Sequence, residues 1–311
     1  MPSQLITDLL AVLDKLAGGV HAGFRPAHAH GVIYSGTFTP APDAAKLTKA
    51  PHANRPLTPI TVRFSLSAGI PTAAENDPKA STPQGFAVRF HLAEHTHTDI
   101  VAHSHNGFPV HTGEEFLEFL RAVAASGPEG PNPPPIAAFL ATNPNAKAFV
   151  EAAKPIPTSF ARQAFFAITA FKFTNAAGAS KFGRFRIVPD AGTEFLTAEQ
   201  AAKKTSDFLA AEMSQRLAKG PVGFRVRVQL AEPGDDVTNA SILWPESRPM
   251  VDFGSLTITQ RVDELAPEVR KVIFDPVPRV DGIDSAGDPL TEVRSEIYLL
   301  SGRRRRAAGA N

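Results

Sequence analysis

The chain has no cysteine and only three methionines among its 311 residues. The first absence rules out disulfides, thiolate-ligated haem, iron–sulfur clusters and cysteine nucleophiles. The second leaves very little oxidisable sulfur, which suits a protein that meets peroxide. An excess of charge is missing too: 32 Lys and Arg stand against 31 Asp and Glu, a net of +1. That balance gives no global field for nucleic acid or an anionic membrane, so neither is an expected partner. Apolar runs of membrane-spanning length are lacking. So is a signal-peptide pattern, because the N-terminus has no basic start and Asp8 and Asp14 interrupt its apolar stretch. Cytoplasmic residence is the expectation. The 43% hydrophobic content suffices for a substantial core, in one large domain or two modest ones.

What is present begins with an amphipathic helix. Leu5, Leu9, Leu13 and Leu16 share one helical face, with Ser3 as cap and Gly18-Gly19 as stop. Residues 1–20 are expected to dock as this helix on a domain spanning 21–311, in a single domain overall. Strand-like runs follow at Gly31–Thr39, Ile60–Leu66, Gly85–Leu92 and Ile100–Ala102, bounded by Pro, Gly, Asn and Asp. Thr112-Gly-Glu-Glu115 is a capping box that opens a helix, and short helices are expected over Pro135–Ala141 and Pro144–Ala153. Strands are expected at Phe165–Thr174 and Arg184–Val188, separated by a hairpin turn at Asn175-Ala-Ala-Gly178. Thr197-Ala-Glu-Gln200 opens a long helix reaching about Leu217. Val222–Leu230 and Leu256–Arg261 alternate as antiparallel strands with one wet face. Many strands with helices inserted late give an α+β class, a bent antiparallel β-barrel with peripheral helices. Strand–helix alternation and a Gly-rich phosphate loop are absent, which disfavours a doubly wound parallel sheet.

The chemistry is concentrated near the two ends. In Arg25-Pro-Ala-His28-Ala-His-Gly31, His28 is framed by small residues just ahead of a strand. A histidine of near-neutral pKa can take a proton from bound peroxide and return it to the leaving oxygen, though the same placement serves a packing residue. Asn106, ahead of Gly107, offers an amide donor or simply a turn. Arg63 and Ser65 could answer a carboxylate and fix a histidine tautomer, or belong to a half-exposed strand. Towards the C-terminus, Asp288-Pro289 is an N-cap with proline at the first helical position. Arg294 and Tyr298 then stand four apart on one helical face. A phenol is a poor ligand until ionised, and iron(III) and a guanidinium both favour the phenolate. A surface arginine beside a core tyrosine would give the same spacing. His91, His95, His97, His103 and His105 form a separate crowd in which pairs two apart on a strand could bind zinc or copper, without a cysteine or acidic partner at ligand spacing.

An ordered set of motifs carries a resemblance. It comprises Arg25-x-x-His28-Ala-x-Gly31, Val62-Arg63-Phe64-Ser65, Gln84-Gly-Phe-Ala-Val-Arg-Phe90 and Asp99-Ile-Val. Asn106-x-x-Pro109-Val110, Phe171-x-Phe-x-Asn175-x-x-Gly178, Trp244-Pro245, Gly254-x-Leu256, Gly282-Ile-Asp-x-x-x-Asp288-Pro-Leu and Arg294-x-x-x-Tyr298 continue it. Together they span nearly the whole chain, which resembles the haem catalase superfamily and, within it, the short catalase-related peroxidases. The resemblance implies haem b buried between barrel and helices. It implies His28 as distal acid–base, Asn106 as its distal partner, Ser65 as the histidine's hydrogen-bond partner and Tyr298 as axial iron ligand. Arg294 would hold the tyrosinate, while Arg25, Arg63 and Arg305 would bind the haem propionates. Tyrosine ligation is the known pattern for catalase.

The departures bear on activity. Ala27 stands where catalases carry valine, Thr82 aligns with the carboxylate of their peroxide channel, and His111-Thr112 replaces a phenylalanine pair. The long N-terminal arm and the C-terminal domain of large catalases have no counterpart. Each change opens the distal approach, so the expected function is a peroxidase using hydrogen peroxide or organic peroxides to oxidise small organic donors, with weak or no catalase activity. Alternatives are an organic hydroperoxide isomerase resembling allene oxide synthase, and a non-catalytic haem-binding protein. A homodimer is expected from the missing arm.

Overall fold

The computed structural model describes residues 3–263, 266, 269 and 271–308. The outermost residues of the two expected segments, 1–2 and 309–311, therefore lie outside the described residues. Alternating strands must pair, and here they close. The strands are β1 (Gly31–Pro40), β2 (Thr58–Ser65), β3 (Gly85–Ala93), β4 (Thr96–His103), β5 (Phe165–Phe166), β6 (Phe171–Thr174), β7 (Ser180–Pro189), β8 (Val222–Leu230), β9 (Met250–Val262) and β10 (Ile283–Ser285). All pairings given are antiparallel, in the order β1-β2-β3-β4-β5-β7-β8-β9 and back to β1, with β6 and β10 continuing outward from β7. Closure removes the free edges that an open sheet of this size would expose.

Strand periodicity sorts the side chains. In β2, Val62 and Phe64 enter the barrel core with Phe38, Phe86, Phe90 and Phe224, while Arg63 and Ser65 face outward. Phe64 stacks on Phe160 at 4.9 Å between ring centroids. Burial of each such ring contributes roughly 1.5–3 kcal/mol, so the barrel is held chiefly by its aromatic filling.

One polar ring shares that filling. His52 is 1% exposed and stacked on Phe90 at 4.6 Å, and its buried Nδ1 makes no hydrogen bond. Burial, helped by Arg55, pushes its pKa down to about 3. Its folded-state pKa lies below the unfolded value, so the unfolded chain binds the extra proton and stability falls as pH drops from 6.5 towards 3. His52→Leu is expected to remove one proton from that slope, sparing about 1.4 kcal/mol per pH unit below 6. Urea titrations between pH 4.5 and 7 measure it. An unchanged slope would contradict a neutral buried imidazole.

Helices α1 (Gln4–Leu16), α2 (Gly113–Ala124), α3 (Pro135–Thr142), α4 (Pro144–Glu151) and α6 (Pro289–Ala308) form a second layer over one side of the barrel, whereas α5 (Phe208–Leu217) packs Phe208, Leu209 and Met213 with the barrel core. Ile6, Leu9, Leu10 and Val12 of α1 pack with Leu117, Phe119 and Leu120 of α2 and Ile297 of α6. The acidic interruptions of α1 are docking contacts: Asp8 meets Arg121 at 2.9 Å and Asp14 meets Arg304 at 2.7 Å. The expected face is rotated slightly. Leu16 is 39% exposed, and Ile6 and Leu10 supply the buried stripe instead.

Two expected elements are broken. The run 165–174 splits into β5 and β6, because Ala167 to Ala170 leave the ladder as a buried link. The helix expected from Thr197 to Leu217 splits into a short turn at Ala198–Ala202 and α5. The carboxylate of buried Glu75 accepts the Leu209 and Ala210 amides at 2.5 and 3.2 Å, satisfying the α5 N-terminus from far away in sequence. Among the described residues no helix is long and apolar enough to cross a membrane, and no group of three His, Asp or Glu is placed to hold a metal ion. His91 and His97 oppose each other across β3 and β4 without a third ligand.

Candidate active site

Between the outer face of the barrel and α6 lies a cavity of about 1250 Å³, its open mouth included. Leu290, Val293, Arg294, Ile297, Tyr298, Ser301 and Arg305 line it from α6, a single helical stripe at spacings of three and four. Asp288 starts that helix as expected: its Oδ1 accepts the Leu290 amide at 2.9 Å, and burial pushes its carboxyl up to about 6. Four residues apart, Arg294 donates to the Tyr298 hydroxyl from Nε and Nη2, both at 3.4 Å.

The barrel wall is built by register. Gly31, Ser65, Gly85 and His103 oppose one another across β1, β2, β3 and β4, so their side-chain positions share one face. Two glycines in the row leave notches. A Cβ at Gly31 would come within 2.5 Å of the Arg63 guanidinium. One at Gly85 would come within 2.5 Å of Ser65 Oγ and 2.8 Å of His28 Nδ1. The His28 ring therefore sits over Gly85, with its Nδ1 3.2 Å from Ser65 Oγ.

The backbone at His28 is left-handed, φ 56°, and is held there by neighbours. Its amide donates to the Ser67 carbonyl at 3.1 Å, and its own carbonyl accepts from Arg63 Nη2 at 2.8 Å. Burial first, then the cations Arg63, Arg25 and Arg294, push the imidazole down to about 4, leaving it neutral at pH 7.

A third piece closes the side. Arg25 and Arg305, from opposite ends of the chain, both donate Nη2 to the Val272 carbonyl at 3.2 Å. The segment carrying that carbonyl is tethered by Asp99, which accepts the Asp275 amide at 2.8 Å and pairs with Arg89 at 2.8 Å. Arg89 also donates to the Ile273 carbonyl. This anchor escaped sequence reasoning. The available signal was two opposite charges directly paired across β3 and β4.

The cavity thus gathers His28, Ser65, Arg25, Arg63, Arg294, Arg305 and Tyr298. Asn106 is not part of the wall. β4 continues one residue beyond the expected run, to His103, and the chain then turns away: the Ser104 amide donates to Gln84, His105 packs on Phe149, and Gly107 turns at φ 136°. His103 lines the cavity. His111 and Thr112 have a local duty, donating their amides to Glu115 at 2.8 and 3.2 Å in the α2 cap.

The family model for catalase matches residues 21–311. A catalase-related peroxidase of Mycolicibacterium paratuberculosis is 35% identical over 287 residues, covering 91% of this chain and 90% of the relative. The chain belongs to the catalase family. Another catalase-related peroxidase, from Synechococcus elongatus, is 30% identical and covers 93% of this chain and 86% of its own length. Catalase A of Saccharomyces cerevisiae superposes with a TM-score of 0.80 at 20% identity, over 92% of this chain. The chain spans 62% of that catalase, so the likeness is one of fold.

Catalase-family proteins bind haem, and the residues here fit such a group. Four arginines line an otherwise mainly apolar cavity that no described carboxylate enters, a setting for a flat apolar molecule carrying anionic groups. Nη1 of Arg294 is buried with no hydrogen-bond partner. The notch at Gly85 makes room for the His28 ring against the barrel wall.

Proposed function

We propose that this chain is a cytoplasmic haem b peroxidase that uses hydrogen peroxide or organic peroxides to oxidise small organic donors, with weak catalase turnover. The observation that carries the reading is a neutral histidine on one wall and an arginine-bonded tyrosine on the other, in one cationic cavity. Tyr298 would be the axial ligand, and Arg294 would hold its oxygen. Arg25, Arg63 and Arg305 would hold the propionates. When bound, haem supplies the iron that receives peroxide and the two electrons that break the O–O bond.

The chain's own residues manage protons. Nε2 of His28, on the far side of the ring from Ser65, accepts a proton from one peroxide oxygen and delivers it to the other, which leaves as water. Ser65 and the Arg63-clamped backbone fix the ring for that transfer. Two donors AH restore the electrons, so that H2O2 + 2 AH gives 2 H2O + 2 A•. Ala27 lines the cavity beside His28, where a smaller side chain admits bulkier donors. A storage protein needs no oriented, neutral imidazole. The reading includes a homodimer.

The test supplies hemin during expression and compares peroxide-dependent oxidation of a phenolic dye with oxygen release. Dye oxidation well above oxygen release is expected. Oxygen evolution at the speed of a large catalase, with donors ignored, would overturn the peroxidase reading.

A further inference from the structure

We propose that His103 is the second distal hydrogen-bond donor of this site, taking the place of the amide of Asn106 and contacting the peroxide oxygen that leaves. The assignment rests on the peroxidase reading above and deepens it. Three observations carry it.

The first is position. His103 is the last residue of β4 and stands in the row Gly31–Ser65–Gly85–His103, on the same face as Ser65. Because Gly85 between them has no side chain, His28 fills the gap and the two imidazoles are brought together over the cavity. Asn106 lies three residues further on, beyond the point where the strand ends, and does not line the cavity.

The second is tautomer. The backbone amide of His105 donates to Nδ1 of His103 at 3.3 Å. An Nδ1 that accepts must be unprotonated in the neutral ring, so the hydrogen sits on Nε2, the ring's other nitrogen. His103 is thereby a fixed N–H donor, the capacity an amide side chain would otherwise bring. His28 faces Ser65 through its own Nδ1, so the two rings hold complementary roles, one able to accept a proton and one to donate a hydrogen bond.

The third is charge. Burial, followed by Arg294, His105 and His28, pushes the His103 imidazole well below its ordinary pKa, so it stays a neutral donor at working pH. A neutral donor steadies the departing oxygen without competing with His28 for the proton in transit.

Fluoride is the probe, since it binds ferric haem as a hydrogen-bond acceptor and undergoes no turnover. The haem-loaded full chain is titrated optically as wild type, His103→Leu, His103→Asn and Asn106→Ala. Fluoride affinity is expected to fall about ten- to a hundredfold in His103→Leu, the range spanned by a hydrogen bond to a charged group, and to be partly restored in His103→Asn. The rate of the peroxide-induced change in the Soret band should follow the same order. The assignment is overturned if His103→Leu and His103→Asn bind fluoride within about twofold of wild type, or if Asn106→Ala shows the larger loss. It is also overturned if the wild-type spectrum shows His103 bound to the iron. In the fluoride cases the wild-type chain still holds haem, so the peroxidase reading stands. A wild-type chain that takes up no hemin sinks that reading, and this assignment with it.

Discussion

Tyr298→Phe is expected to yield a folded protein that no longer holds haem in the wild-type way. The phenol oxygen and the arginine that bonds it are set four residues apart on the stripe of α6 that faces the cavity. Phenylalanine keeps the apolar ring and removes only the oxygen, so the packing around Ile297 should survive while the iron loses its anionic ligand. Changes outside the ligand set typically cost roughly 10–100-fold in metal affinity, and loss of the ligand itself should exceed that. The measurement is a hemin titration with an absorption spectrum of the product. Loss of the phenolate charge-transfer bands and at least about a hundredfold weaker uptake are expected. An unaltered spectrum would remove Tyr298 from the iron and with it the proposed orientation of the whole site.

The second large effect is expected at His28. His28→Ala should retain haem, because Tyr298 and the arginines are untouched, and should slow the peroxide-induced Soret change by about 10²–10⁴, the span of a positioned acid–base group. The pH profile adds a sign. The working form is neutral, and burial together with Arg63, Arg25 and Arg294 pushes the ring down to about 4, so the wild-type rate should be flat near pH 7 and fall only on acidification. Anionic propionates held by Arg63 and Arg25 would offset part of those two cations' effect, moving the acid limb upward from 4 towards the ordinary 6.5. Neutral His103, coupled to His28, adds no positive charge. Stopped-flow mixing from pH 4 to 8 reads the limb. A rate that rises on acidification, or an alanine variant as fast as wild type, would exclude His28 as the proton carrier.

Much of this architecture was legible in residue order because it depends on local periodicity. Arg63 and Ser65 alternate with the core residues Val62 and Phe64, and Asp288-Pro289 caps the helix that carries Arg294 and Tyr298. What stayed hidden depends on register and on contacts between distant segments. Nothing near Leu209 announces that its amide bonds to Glu75, so the break between residues 202 and 208 could not be read. Nothing near Val272 says that its carbonyl joins Arg25 to Arg305. The position of His103 was hidden for a related reason: only the pairing of Gly85 with His103 shows that its side chain reaches the cavity.

The shared Val272 carbonyl also bears on the order of synthesis. Arg25 leaves the ribosome well before Tyr298 and Arg305, and the carbonyl joining the two arginines only shortly before those two. A nascent chain, emerging from its N-terminus, has the histidine wall long before it has anything to set against it. A prosthetic group held between these walls would therefore be acquired only once α6 has emerged, and a chain cut before α6 would be born without a place to keep it.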